Sequence, residues 1–137
     1  MAFEVGYIVA DAAAAADFYI DVFKCTELVR MELPPEISGP TGMGESGFLV
    51  ALRTPDGHVL KFMDCRGGFL RPAGGGEVHD HYLTFWVDDL DEVTEACSKW
   101  GGRPLTAGPT ETPFGPVRFL EDPSGNAIEV IQGQPPF

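Results

Sequence analysis

Apolar and polar residues alternate along two stretches that share one plan, FEVGYIVADAAAAADFY (3–19) and HYLTFWVDDLDEVTEAC (81–97). Each opens with a period of two, reaches an Asp, and passes into a helical period. Val5, Tyr7, Val9 and Asp11 of the first correspond to Leu83, Phe85, Val87 and Asp89 of the second. A second pair follows, LVALRTPDGHVLKFMD (49–64) and GPVRFLEDPSGNAIEVIQ (115–132). Within these, Pro55-Asp56-Gly57-His58 and Pro123-Ser124-Gly125-Asn126 each stand between two apolar runs. Pro presets its φ and Gly accepts a positive one, so both read as hairpin turns. The pattern predicts strand, helix, strand, strand, strand, twice over. The first set lies near 3–9, 11–24, 27–33, 47–54 and 58–64; the second near 81–87, 89–100, 104–107, 115–121 and 126–132.

Asp11 and Asp89 suit helix N-caps, and Gly101-Gly102 suits the stop of the second helix. The alanine run 12–16 reads as high helix propensity on a surface helix, whose apolar stripe Phe18, Tyr19, Val22 and Phe23 docks on the sheet. The glycine-dense segment 65–80 is expected to be a linker, and 34–46 an irregular insertion with no element of its own. The expected fold is α+β: two βαβββ modules forming a curled mixed sheet around a ligand cavity, helices outside. One domain spans 1–137, with module 1 about 1–64, the linker 65–80, module 2 about 81–132 and a short C-terminal tail.

Composition narrows the function. The 137 residues are 44% hydrophobic and 22% charged, an ordinary globular balance. Net charge is -12, from 21 acidic against 9 basic residues, which disfavours nucleic acid and anionic membrane surfaces. A neutral or cationic small ligand remains compatible. No apolar run approaches the ~18 residues of a membrane span, and the N-terminus lacks the positive start of a secretory signal. Cys25, Cys65 and Cys97 carry no C-x-x-C spacing, so they read as structural thiols in a reducing cytoplasm.

Two modules with V-x-D before each helix, the second ending in E-D-P-S-G-N-A-I-E-V (121–130), resemble the vicinal oxygen chelate superfamily. That superfamily includes glyoxalase I, extradiol dioxygenases, methylmalonyl-CoA epimerase and bleomycin-resistance proteins. The resemblance covers residues 3–132 and implies half-barrel modules enclosing one cavity. Metal-using members take ligands from the first and fourth strand of each module, the first strand reading His-x-Gly-x-x-Val-x-Asp. On this chain those four positions fall on Glu4, Tyr82, Lys61 and Glu129, and only Glu129 matches a usual ligand. The resemblance also implies a homodimer, with the cavity formed within one chain or across exchanged modules.

Strand alternation supports the same placement. With Val5, Tyr7 and Val9 under the helix, Glu4, Gly6 and Ile8 face the other way, joined by Val59, Lys61 and Met63, by Tyr82, Thr84 and Trp86, and by Ala127, Glu129 and Ile131. Candidate catalytic residues are therefore Glu4, Lys61, Tyr82 and Glu129, with Tyr82 a proton donor. Candidate ligand-binding residues are Ile8, Val59, Met63, Thr84, Trp86 and Ala127, with Trp86 as a stacking floor. Lys61 supplies positive charge where a divalent cation would sit, and a protonated lysine repels such an ion, so no metal or other cofactor is expected. His79 and His81 could revive a divalent metal, although His81 stands one residue off the ligand parity. His58 reads as a turn residue, and Asp88, Asp91, Glu92 and Glu95 as a solvated helix face.

The expected function is a lyase or isomerase using metal-independent acid–base chemistry on a small carbonyl-bearing substrate. The alternatives are a non-catalytic protein sequestering an antibiotic-type molecule, and a metal-dependent glyoxalase or dioxygenase.

Overall fold

The computed structural model describes residues 2–67, 81–123 and 125–137. Strand β1 (Ala2–Ile8) leads into helix α1 (Ala12–Phe23), β2 (Thr26–Leu33), helix α2 (Pro35–Thr41), β3 (Gly44–Arg53) and β4 (Val59–Gly67). Then come β5 (His81–Val87), α3 (Leu90–Lys99), β6 (Arg103–Pro104), β7 (Thr110–Thr112), β8 (Gly115–Glu121) and β9 (Ala127–Gln132). The strands form one mixed sheet in the order β2-β3-β4-β1-β5-β9-β8-β6, with β7 paired to β8. β1 runs parallel to β4 and β5 parallel to β9, while β1 and β5 join antiparallel. The order repeats outward from that seam, so the fold is α+β with two modules side by side.

Alternation sorts the two faces. Val50, Leu52 and Phe62 bury against α1, and Leu120 and Val130 bury against α3. Leu49 and Met63, one residue away from these, turn to the opposite, concave face. Both expected hairpin turns form with the same pair of bonds. Thr54 N donates to His58 O at 2.8 Å and Gly57 N to Thr54 O at 2.9 Å; Asp122 N donates to Asn126 O at 2.9 Å and Gly125 N to Asp122 O at 3.0 Å. Asp11 caps α1 through Ala14 N at 2.9 Å, and Asp89 caps α3 through Glu92 N at 3.0 Å. No helix among the described residues is long and apolar enough to cross a membrane.

Four expectations change. The alanine run is not wholly surface: Ala12 and Ala16 are fully buried on the docking face of α1, while Ala14 is exposed. Tyr19 and Ile20 continue that face one turn on, and Phe18, Val22 and Phe23 are left half exposed. Segment 34–46 does contain an element, the seven-residue helix α2, hidden by its Gly39 and Pro40. Pro35 suits its first turn, and the buried Ser38 and Thr41 hydroxyls donate back to carbonyls of Pro34, Ile37 and Ser38. β4 continues through Gly67 into the expected linker, of which 68–80, including His79, lie outside the described residues. Finally, the strand expected over 104–107 is only Arg103–Pro104, and β7 was not foreseen.

Candidate functional site

The register of the four central strands β4-β1-β5-β9 assembles the site. Lys61 stands opposite Gly6, Gly6 opposite Tyr82, Glu4 opposite Thr84, and Thr84 opposite Glu129. Directly paired residues point to the same face, so all of these meet on the concave side. Lys61 Nζ donates to Glu129 Oε1 at 2.6 Å and to Thr84 Oγ1 at 2.6 Å, and lies 3.7 Å from Glu4 Oε1. The Thr84 hydroxyl donates in turn to Glu129 Oε1 at 2.8 Å. Trp86 Nε1 donates to Glu4 Oε1 at 2.9 Å. The three charged side chains are nearly sealed from solvent: Glu4 is 3%, Lys61 5% and Glu129 6% exposed. Buried ions of this kind persist only where partners stabilise them, and Glu129 and Lys61 are bonded directly to each other. Glu4 is half satisfied, since its Oε2 is buried without a partner among the described residues.

A cavity of about 60 Å³ opens on this cluster, with Glu4, Lys61, Glu129 and Trp86 in its lining. The rest of the wall is almost entirely apolar. Val29, Met31 and Leu33 of β2, Leu49 and Ala51 of β3, and Met63 form one side; Val117, Ile131, Phe114 and Phe137 form the other. Ile37 of α2 and Met43 close over it. The β2 contribution carries a sequence signal, the alternation of Val29, Met31 and Leu33. Phe114 and Phe137 lie outside any periodic stretch and carry none.

Other expected residues lie elsewhere. Ile8 and Ala127 are buried, but in the adjoining core cluster with Tyr82 and Phe119 rather than on the cavity wall. Val59 stands opposite Arg53 beside the hairpin turn, too far along β4 to reach the cavity. Thr84 is fully buried, its hydroxyl bonded to Lys61 and Glu129. Trp86 is a wall residue whose indole N–H is spent on Glu4, which makes it an orienting group. Tyr82 sits behind the site: its ring packs at 5.8 Å from that of Phe119, and Lys61 Nζ lies 5.0 Å from its centroid. Burial, then the charges of Glu129, Cys65 and Glu4, push the Tyr82 hydroxyl well above its ordinary pKa, which weakens it as an acid. Burial likewise pushes the Cys65 thiol up to about 12, with Asp64 and Glu129 adding to it, so it is no nucleophile at neutral pH.

Gly6 makes this arrangement possible. A Cβ built there would stand 2.3 Å from Tyr82 Cζ, because the phenol ring lies flat across the glycine. Gly6→Ala is expected to destabilise the fold by about 1–3 kcal/mol, the usual cost of overpacking. Thermal unfolding measures it, and an unchanged Tm would show that the ring is free to swing away.

His81, the first residue of β5, is paired with Tyr7 on the convex side and is exposed. No group of three metal-ligating side chains occurs among the described residues. At the four positions where metal-using proteins of this build hold an ion, an ammonium already bridges the carboxylates. A divalent cation beside Lys61 Nζ, 2.6 Å from Glu129 and 3.7 Å from Glu4, would meet direct repulsion, so the residues present do not fit one.

The sequence matches the Glyoxalase/Bleomycin resistance protein/Dioxygenase superfamily over residues 3–130. This chain belongs to that superfamily. Among curated proteins no sequence matches it. Solved structures share the fold at low identity. Methylmalonyl-CoA epimerase from Mycobacterium tuberculosis is 17% identical, with a TM-score of 0.67 over 96% of this chain and 87% of the other. A hypothetical protein from Bacillus halodurans is 13% identical, with a TM-score of 0.68 over 98% and 94%. A variant of the Streptomyces coelicolor methylmalonyl-CoA epimerase, in complex with 2-nitronate-propionyl-CoA, is 17% identical, with a TM-score of 0.62 over 96% of each chain.

Proposed function

We propose that this superfamily member is an isomerase- or lyase-type enzyme that moves a proton at carbon beside a carbonyl group, without a metal. The observation that carries the reading is Glu4, a residue of the cavity lining whose Oε2 is buried with no partner among the described residues, close to an ammonium fixed by two others. An ammonium has three donors, and Lys61 spends two on Glu129 and Thr84. The third is placed to hold a carbonyl oxygen as it gains enolate charge, while Glu4 takes the proton from the neighbouring carbon. Delivery of a proton to the opposite face of that carbon, or to another carbon of the enolate system, isomerises the substrate; expulsion of a group from the next carbon as the enolate collapses makes the reaction a lyase step. Trp86 holds Glu4 by its other oxygen, and Glu129 with Thr84 holds Lys61 in place.

The test is deuterium exchange from D₂O into the α-carbon of small ketones, followed by proton NMR with and without enzyme. Exchange faster than buffer, unaffected by EDTA, is the expected result. Ligands that bind but never exchange would favour the sequestering role instead; exchange lost on chelation and restored by a divalent ion would refute the metal-free mechanism.

We also propose a homodimer. Phe18 meets Phe23, Tyr19 meets Phe62, and Phe62 stacks on Tyr7, so aromatic contacts run from α1 onto β1, where Phe3 continues the same face. Phe3, Tyr7, Phe18, Val22 and Phe23 are each 44–54% exposed. Together they present on the order of 500 Å² of apolar surface, large for a monomer and a fair core for a standard interface of about 800 Å² per partner. Light scattering is expected to give the dimer mass for the native chain and the monomer mass for Phe18→Asp/Phe23→Asp. A native monomer at micromolar concentration would overturn it.

A further inference from the structure

The charge balance at the cavity floor selects the substrate class. Resting on the proton-transfer reading above, we infer that the substrate is compact and uncharged at its reacting end, and carries neither a carboxylate nor a coenzyme A thioester. Glu4 and Glu129 place two negative charges in the described wall, Lys61 one positive, so the floor holds one surplus negative charge. The wall around it is almost entirely apolar, and charges interact more strongly in such surroundings than in water. An anionic substrate would bring a second unbalanced charge into this space. No further Lys or Arg lines the cavity among the described residues, and the chain itself carries -12. The charge of Lys61 is already shared with Glu129, bonded at 2.6 Å, and with Glu4 at 3.7 Å, so its one remaining donor can hold a carbonyl oxygen but leaves no surplus positive charge to balance a carboxylate. A neutral ligand bearing an N–H or O–H meets the opposite situation, because the buried Glu4 Oε2 needs a donor. The cavity of about 60 Å³ suits a compact reacting end at the charged cluster. The solved epimerases of this fold are named for a coenzyme A thioester; the substrate inferred for this chain is a different one.

The probes are acetoacetamide and acetoacetate, which match in size and differ in one charge, together with methylmalonyl-CoA. Three of the chain's four methionines, Met31, Met43 and Met63, line the cavity, so their ¹³C-methyl resonances report occupancy directly. Acetoacetamide is expected to shift those resonances with an affinity at least tenfold tighter than acetoacetate, and methylmalonyl-CoA to leave them in place. Glu4→Gln removes the surplus charge and should bring the amide and the carboxylate within about twofold of each other. Acetoacetate or the thioester binding as tightly as the amide would overturn the inference, as would binding of none of the three at tens of millimolar. An amide preference without any deuterium exchange would leave the charge rule standing and remove the proton-transfer reading. Exchange that proceeds on a preferred carboxylate substrate would do the reverse.

Discussion

Lys61→Met lowers α-deuterium exchange by about two to three orders of magnitude, the scale on which a preorganised electrostatic group contributes. The substitution keeps most of the side-chain volume and removes the one cation between Glu4 and Glu129. Two carboxylates then face one low-dielectric space without compensation, and one of them takes up a proton. A protonated-carboxyl band in the infrared difference spectrum, absent from the native protein, should report it. That uptake also limits the damage to stability, because leaving two uncompensated buried charges would otherwise cost several kcal/mol. A variant that stays folded and keeps native exchange rates would place the chemistry outside this cluster. One that unfolds, yet shows full specific activity in its folded fraction, would reduce Lys61 to a structural strut.

Glu4→Gln should cost a factor of about 10²–10⁴ in turnover with ligand binding retained, as expected when a general base loses its proton acceptor. The amide oxygen can still accept from Trp86 Nε1, so the side chain keeps its pose and only the basic oxygen changes. Glu129→Gln makes the contrast. Glu129 has one oxygen engaged by both Lys61 and Thr84, so its loss acts through the position of Lys61 and raises KM together with lowering kcat. Kinetics and methyl-resonance titrations on both variants separate the roles. Full turnover in Glu4→Gln, or a larger loss in Glu129→Gln, would reverse the assignment of base and counter-ion.

Much of this site can be read along the chain because strand parity is a short-range property. Once Glu4, Lys61 and Glu129 occupy in-facing positions of neighbouring strands, convergence follows from pleat geometry alone. Parity says nothing about how far along a strand the cavity extends, and so Ile8, Val59 and Ala127 shared the face without reaching the space. Nor does it say which hydrogen bonds form between groups on one face, so Trp86 as the orienting partner of Glu4 emerges only from the packed side chains. The stripe of α1 misled for a different reason. Large apolar residues suggest burial by transfer energy, but the fully buried residues of this helix are the small Ala12 and Ala16. In α2, Gly39 and Pro40 mask a helix that tertiary contacts with β3 and β7 sustain.

The seam between β1 and β5 has a consequence for how the protein is made. β1 pairs with β4 on one edge and β5 on the other, and neither partner is near it in the chain. During synthesis Glu4 leaves the ribosome more than fifty residues ahead of Lys61, and Glu129 follows only near the end. At roughly 5–20 residues per second, the innermost strand of the sheet waits several seconds with both edges unpaired. Its apolar side chains and open amides are the kind of surface that nascent-chain chaperones hold and that neighbouring chains on a polysome can capture. The strand that carries the proposed base is therefore made well before either of its partners, and translation speed across 60–87 becomes a determinant of how much cavity-bearing protein a cell obtains.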